Sequence, residues 1–184
     1  MNTPLRRILL VGMMGAGKST VGRELARRTG WPFLDNDDLV RELTGREPKA
    51  IDAEDGEDAL HAAETRALRT ALARAGPAVI GVAGAIVDDP AATIEVRASR
   101  AHVVWLRARP ETLRSRIGSG VGRRSEAQDL GWIAARASER APRYEAIADQ
   151  VIDIENRRPR AIARAILGSI GFRPASQTAA ERQR

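Results

Sequence analysis

Residues Gly12–Ser19, with the sequence GMMGAGKS, match the pattern G-x-x-x-x-G-K-[ST] and decide the fold of the chain. The stretch follows an apolar run at Ile8–Val11 and opens an amphipathic segment at Ser19–Arg28, so it joins a predicted buried strand to a predicted helix. Glycines in such a turn let backbone N–H groups surround phosphate oxygens, and the helix N-terminus adds its positive dipole end. The sequence therefore predicts a phosphate-binding loop.

Two side chains of this loop carry the expected chemistry. Lys18 reaches the β- and γ-phosphates of a bound nucleotide, and the Ser19 hydroxyl is a ligand for Mg²⁺. Lysine is scarce in the chain, which has arginine almost everywhere else and only one other lysine, Lys49. These residues predict binding of a purine nucleoside triphosphate, ATP, together with Mg²⁺.

Composition narrows the class of protein. The 184 residues fit one domain, and an apolar content of 43% is enough for a core. The formal charge is +6, but the arginines are spread among acids and aromatic residues make up only 3%, which favours solvated helix faces over a nucleic-acid surface. The chain has no cysteine and no stretch near the ~18 apolar residues of a membrane span. We expect a cytoplasmic, monomeric protein that binds a small molecule, without nucleic acid or membrane.

Short apolar runs alternate with helical patterns along the chain. The runs predict five buried strands, at Ile8–Val11, Pro32–Leu34, Val79–Ala83, Val103–Leu106 and Val151–Ile154. Alternation of this kind predicts an α/β fold with three layers, α/β/α, around a five-stranded parallel sheet. One helical pattern covers Gln128–Arg140.

The boundaries of the domain are also predicted. A segment at 118–129 has three glycines, adjacent arginines and few apolar residues, which is typical of a mobile lid. We expect a single P-loop domain over 1–171 and a disordered tail over 172–184.

Acidic residues follow the second predicted strand. Asp35 and Asp37 lie just past its carboxyl end, the edge where ligands bind in open α/β sheets. No aspartate ends the strand Val79–Ala83, so Asp35 is the best candidate to assist Mg²⁺. The alternative interpretation is a helix N-cap cluster without a chemical role.

The order of motifs along residues 5–170 resembles the shikimate kinase family, within the nucleoside-monophosphate-kinase-like P-loop proteins. The segments that carry the resemblance are GMMGAGKSTVG at Gly12–Gly22, GWPFLDND at Gly30–Asp37, GEDALHAAE at Gly56–Glu64, VAGA at Val82–Ala85, ERAPRY at Glu139–Tyr144 and VIDIENRRP at Val151–Pro159. The resemblance implies ATP-dependent phosphorylation of a hydroxyl on a small polyhydroxy acid, converting shikimate to shikimate 3-phosphate.

The resemblance also implies roles for individual residues. Lys18, Asp37 and Arg123 would be catalytic, with Asp37 as the base and Arg123 as the lid arginine that reaches the ATP phosphates. Ser19 and Asp35 would hold the metal. The expected nucleotide-binding residues are Gly12, Gly15, Ala16, Gly17, Lys18, Ser19, Thr20, Arg116, Arg123, Arg157 and Pro159. The expected acceptor-binding residues are Asp37, His61, Gly84 and Arg140, of which Arg140 would bind the acceptor carboxylate.

The sequence departs from the family pattern on the acceptor side. A second carboxylate-binding arginine of the family falls at His61, the family's Gly-Gly-Gly becomes Ala83-Gly84-Ala85, and the lid's Arg-Pro becomes Arg123-Arg124. An arginine–carboxylate pair is bidentate and charge-assisted, whereas histidine gives one such bond and carries only a partial charge near neutral pH. Two alternatives therefore stay open: a related kinase with a different alcohol as acceptor, and a non-catalytic, ligand-sensing P-loop domain.

Overall fold

A computed structural model describes residues 7–117 and 129–172 of the chain. Its five strands form one sheet in the order β2-β3-β1-β4-β5, and every neighbouring pair is parallel. The strands are β1 Arg7–Val11, β2 Phe33–Asp35, β3 Ala78–Gly81, β4 His102–Arg107 and β5 Gln150–Asp153. The predicted three-layer α/β fold with a five-stranded parallel sheet is confirmed.

Helices cover both faces of this sheet. They are α1 Lys18–Thr29, α2 Asn36–Thr44, α3 Pro48–Asp55, α4 Glu57–Ala73, α5 Pro90–Ala98, α6 Pro110–Ile117, α7 Leu130–Ile147 and α8 Pro159–Ser169, with a 3₁₀ turn at Gly84–Asp88. Because parallel strands buried on both faces have no solvent side, β3 and the part of β1 after Arg7 are continuous, fully buried apolar runs.

The contact between α1 and β2 is close enough to require glycine. A Cβ added at Gly22 would lie 2.1 Å from the ring of Phe33. The ring therefore packs against the backbone of the helix that follows the phosphate loop. This contact places the end of β2 beside that loop. Asp35, the last residue of β2, and Asp37, in the first turn of α2, therefore lie near the loop.

Two elements differ from the sequence-based expectations. Helix α3 was not predicted, because half of its eight residues are charged and only Ile51 is buried. Helix α7 continues to Ile147 and does not stop at Arg140, although Pro142 lies inside it. Proline removes one backbone donor, but Tyr144 in the following turn is buried and stacks on Trp105 at 5.5 Å between ring centroids.

The predicted lid and tail fall largely outside the part of the chain that is described. Residues 118–128, including Arg123 and Arg124, and residues 173–184 are outside it. Phe172, the predicted first residue of the tail, packs edge-on against Trp31 at 5.6 Å between ring centroids. The packed part of the chain therefore extends to Phe172.

Candidate active site

The phosphate loop leaves the central strand β1 and turns into α1, as its sequence predicts. Lys18 Nζ donates to the carbonyl oxygens of Gly12, at 2.7 Å, and Met13, at 3.2 Å, so the ammonium group is held within the loop. Gly17 is the N-cap of α1, with φ 82°. The backbone N–H groups of the first turn of α1 have no helical partners and are available to an anion.

Crowding explains the other two glycines of the loop. Both have positive φ, 140° at Gly12 and 82° at Gly15. A Cβ at Gly12 would lie 2.6 Å from the carbonyl oxygen of Leu106, and one at Gly15 would lie 2.6 Å from that of Leu113. A larger residue at either position would therefore force the loop away from β4 or α6.

The residues expected to hold Mg²⁺ lie on this side of the site. Ser19 and Asp35 line the same cavity as Lys18. Asp35 is also the N-cap of α2, where one of its oxygens accepts from the backbone N–H of Asp37 at 3.3 Å. The N-cap interpretation and the metal interpretation of Asp35 are therefore compatible, because its second oxygen is not used by this hydrogen bond.

The donor set of this region fits magnesium. Mg²⁺ is usually held by one or two protein oxygens together with substrate phosphates and waters. Ser19 and Asp35 supply one hydroxyl and one carboxylate. In residues 7–117 and 129–172 no group of three or more His, Cys, Asp or Glu side chains could form a metal site of its own.

One cavity of about 720 Å³ joins the phosphate loop to the expected acceptor residues, at the carboxyl edge of the sheet. Every predicted site residue except Gly12 and Arg123 lines it. Those residues are Gly15, Ala16, Gly17, Lys18, Ser19, Thr20, Asp35, Asp37, His61, Gly84, Arg116, Arg140, Arg157 and Pro159. Gly12 does not line the cavity, but its carbonyl oxygen accepts a hydrogen bond from Lys18 Nζ. Arg123 lies outside the described residues.

Arg140 reaches the acceptor side of the cavity from α7. Its side chain is only 9% exposed, and its Nε and Nη2 donate to one oxygen of Asp88, at 2.9 and 2.6 Å. The other oxygen of Asp88 accepts from Arg143 Nη1 at 2.6 Å. Burial opposes ionisation of Asp88, but Arg140 and Arg143 outweigh it and hold the pKa of this carboxyl below its usual range.

Gly84 is fixed by a second contact from α7. The Tyr144 hydroxyl donates to the Gly84 carbonyl oxygen at 2.6 Å. Burial raises the pKa of Tyr144 above its usual range, so the hydroxyl stays protonated as a donor. The 3₁₀ turn is thus joined to α7 at both ends, at Gly84 and at Asp88, and α7 also carries Arg140.

The departures from the family pattern at Ala83 and Ala85 are accommodated without backbone strain. Neither Ala83 nor Ala85 has a positive φ, so neither position requires the glycine that the family has there. Both line the cavity. His61 also lines it, and its Nε2 is 3.5 Å from Glu57 one turn earlier on α4.

The nucleotide side is closed by the segment that follows β5. Glu155 accepts from the backbone N–H of Arg109 at 2.8 Å and from the Thr112 hydroxyl at 2.7 Å, which ties this segment to the start of α6. Arg157 and Pro159 follow directly, and they line the same cavity as Arg116.

Several cavity residues were not singled out in the sequence. They are Lys49 and Asp52 on α3, Glu57, Leu60 and Glu64 on α4, and Trp132 and Ile133 on α7. Asp88 was also missed, because the run Asp88-Asp89-Pro90 indicates only a helix start, and Asp89 is indeed the N-cap of α5. The sequence offered one signal for these residues: Lys49 is one of only two lysines in the chain.

These features define a P-loop phosphotransferase: a parallel α/β sheet, a glycine-lined phosphate loop with an inward lysine, and a cavity that continues from that loop to a second set of polar groups. Comparison with known proteins narrows the class. The model of the shikimate kinase family matches residues 14–171. The chain belongs to the shikimate kinase family.

Individual relatives agree with this assignment. A shikimate kinase from Moorella thermoacetica is 40% identical over 161 residues, which is 86% of this chain and 91% of that protein. One from Mycobacterium tuberculosis is 34% identical over 177 residues, covering 94% and 98%. The chain is thus similar to whole kinases of this family, and it is an ATP-dependent small-molecule kinase that uses Mg²⁺. The alternative of a non-catalytic sensor has no support from these relatives.

Solved structures show the same fold. The structure of Acinetobacter baumannii shikimate kinase in complex with shikimate superposes with a TM-score of 0.83 at 29% identity, covering 90% of this chain and 93% of that one. A gluconokinase from Sinorhizobium meliloti, at 20% identity and a TM-score of 0.63, shares the fold alone. Since this fold serves more than one acceptor, the acceptor must be argued from the site.

In the described part of the chain, no helix is long and apolar enough to cross a bilayer.

Proposed function

We propose that the chain transfers the γ-phosphoryl group of ATP to the 3-hydroxyl of shikimate, releasing ADP and shikimate 3-phosphate. The observation that carries the proposal is the single cavity that holds the phosphate loop, Asp37, Gly84 and Arg140 together. The relative from Acinetobacter baumannii, whose structure contains shikimate, supports the choice of acceptor.

The donor half of the proposed reaction depends on the phosphate loop. Backbone N–H groups of the loop and of the first turn of α1 bind the phosphates, and Lys18 neutralises charge on the transferring group. When Mg²⁺ is bound by Ser19 and Asp35 with the phosphates, it supplies further positive charge and orients the β- and γ-oxygens.

The acceptor half of the proposed reaction depends on Asp37, Gly84 and Arg140. Asp37 lies in the first turn of α2 and accepts the hydroxyl proton as the new oxygen–phosphorus bond forms. Arg140 binds the acceptor carboxylate with Nη1, because Nε and Nη2 donate to Asp88 while Nη1 has only a weak contact with Met13 Sδ, at 3.9 Å. Gly84 allows the acceptor ring to approach the backbone closely.

The test measures ATP turnover, as ADP release, with shikimate and with a panel of sugars, polyols and other hydroxy acids. The proposal expects strong stimulation by shikimate at micromolar to millimolar concentration and little by the rest of the panel. Absence of stimulation by millimolar shikimate, with turnover of another alcohol, would contradict it.

One observation favours a second candidate, an alcohol without a carboxylate. Arg140 already has a carboxylate partner in Asp88, and His61 is a weaker anion ligand than arginine. The panel separates the two candidates directly, since it contains neutral polyols as well as hydroxy acids.

The proposal includes a monomeric, cytoplasmic protein that does not bind nucleic acid. Many arginines are paired with carboxylates, such as Arg27 with Glu24 and Arg69 with Glu95, which leaves less positive charge for phosphate backbones. Sedimentation analysis tests whether the protein is a monomer, and a dimer would contradict the proposal. An oligonucleotide mobility shift at low salt tests for nucleic-acid binding, and a shifted band would contradict the proposal.

A further inference from the structure

The two lysines of the chain lie in one place. Of 30 basic residues other than histidine, only Lys18 and Lys49 are lysines, and both line the cavity that joins the phosphate loop to the acceptor side. Lys18 is explained by the phosphate loop. Lys49 is the second residue of α3 and lies outside that loop.

The other cations on the acceptor side already have anionic neighbours. Arg140 donates twice to Asp88, at 2.9 and 2.6 Å. His61 lies 3.5 Å from Glu57. Within residues 7–117 and 129–172, Lys49 has neither a hydrogen bond nor an ion pair. Its ammonium group can therefore bind an incoming anion without displacing a carboxylate.

The local position of Lys49 disfavours it as a structural residue. A cation in the first turn of a helix opposes the helix dipole, and the side chain is exposed, so it adds little to packing. Asp52, one turn further along α3, lines the same cavity. The position of Lys49 at the edge of the cavity favours a role toward a ligand over a structural one.

The charge of the cavity gives that role a direction. Four carboxylates line the acceptor side, at Asp37, Asp52, Glu57 and Glu64. Arg140 is largely neutralised by Asp88, so it offers little net charge to an anionic acceptor. The long, flexible stem of a lysine lets its ammonium group reach into the cavity from α3 as a mobile point charge.

We propose that Lys49 is a specificity-determining residue that binds the carboxylate of the acceptor, opposite Arg140. The inference rests on the proposed function, because it takes the acceptor to be a hydroxy acid. Lys49 and Arg140 then hold the carboxylate from α3 and α7, and the acceptor hydroxyl is directed toward Asp37.

The test pairs a change in the protein with a change in the acceptor. Lys49→Met removes the charge and keeps a long side chain, and the methyl ester of shikimate removes the partner charge. We expect KM for shikimate to rise about 10- to 100-fold in Lys49→Met, as for a lost charge-assisted hydrogen bond. KM for the ester and KM for ATP should stay within about twofold, and Lys49→Arg should restore most of the affinity for shikimate.

Arg66→Met is the matched control, since Arg66 is an exposed cation on α4 that does not line the cavity. It should leave every constant unchanged, which excludes a general effect of net charge. An unchanged KM for shikimate in Lys49→Met, or an equal rise for shikimate and its ester, overturns the inference while the proposed function stands. Failure of the wild-type chain to phosphorylate shikimate overturns the proposed function and the inference together.

Discussion

Arg140 donates from two nitrogens to a single oxygen of Asp88, at 2.9 and 2.6 Å, and its side chain is only 9% exposed. A guanidinium so deeply buried requires a counter-ion, and Asp88 provides it from the 3₁₀ turn. The pair therefore orients Arg140 toward the cavity and joins the turn to α7. The same pair reduces the charge that Arg140 offers to an acceptor.

Replacing Asp88 by asparagine should destabilise the protein. The change leaves a buried cation without an opposite charge, and we expect a loss of up to about 3 kcal/mol in the free energy of unfolding. Denaturant unfolding at neutral pH measures it. Glu95→Gln is the matched control, because its pair with Arg69 is exposed and should cost less than about 1 kcal/mol. Equal losses in both variants would contradict this account of the buried pair.

The stability contributed by Asp88 should depend on pH in acid. Its pKa is below the ordinary 3.8 because Arg140 and Arg143 outweigh the effect of burial. A carboxyl with a lowered pKa stabilises the fold fully above the unfolded-state pKa and loses that contribution as pH falls through the folded-state pKa. The gap in stability between wild type and Asp88→Asn should therefore be constant above about pH 5 and shrink below about pH 4. If the difference in stability between wild type and Asp88→Asn grew in acid, the pKa of Asp88 would have to be raised by folding and not lowered.

Lys18→Ala should abolish turnover and leave the fold intact. Lys18 supplies positive charge to the transferring phosphoryl group, and removal of one such donor costs about 10²–10³ in rate or more. A coupled assay of ADP release measures the loss, and circular dichroism verifies the fold. Arg27→Ala, at an exposed pair on the same helix, is the control and should keep full activity. Retained turnover in Lys18→Ala would remove the phosphate loop from the mechanism.

Asp37→Asn should slow phosphoryl transfer and spare ATP binding. The amide can still orient the acceptor hydroxyl but cannot take its proton, so kcat should fall about 10²–10⁴-fold. KM or Kd for ATP should change little, because Asp37 is on the acceptor side of the proposed site. If the variant lost ATP affinity and kept kcat, Asp37 would belong to the nucleotide site.

Gly15→Ala and Gly30→Ala should differ although both glycines have positive φ, 82° and 74°. A Cβ at Gly15 would be 2.6 Å from the Leu113 carbonyl oxygen, whereas nothing lies within 4 Å of one at Gly30. Gly30→Ala should cost only about 1–2 kcal/mol, for its backbone conformation. Gly15→Ala should also raise KM for ATP at least about tenfold, because the phosphate loop must move. Similar kinetics in the two variants would contradict the crowding argument.

The sequence was sufficient to predict the sheet and the position of the phosphate loop between its central strand and α1. A glycine-rich turn between an apolar run and an amphipathic segment has few other structures available, so Gly12–Ser19 and the five strands follow from local patterns. The interior proline at Pro142 misled the prediction of α7, because burial of Tyr144 beyond it outweighs one lost hydrogen bond.

The acceptor side was less predictable because its residues meet only through tertiary structure. Asp88 and Arg140 are 52 positions apart, and no periodicity connects them. Helix α3 has only one buried residue, so no apolar pattern signals it or places Lys49 at the cavity. The pairing of charges there depends on how α3, α4 and α7 surround the same space.

The most direct test of the proposed activity is to identify the product. The wild-type chain is incubated with ATP, Mg²⁺ and shikimate, and phosphorus–proton correlation by NMR locates the new phosphate ester. The account predicts stoichiometric ADP and a single phosphate on the 3-hydroxyl of shikimate. ADP formation without a phosphorylated acceptor, or no turnover of shikimate while another alcohol is phosphorylated, would contradict it.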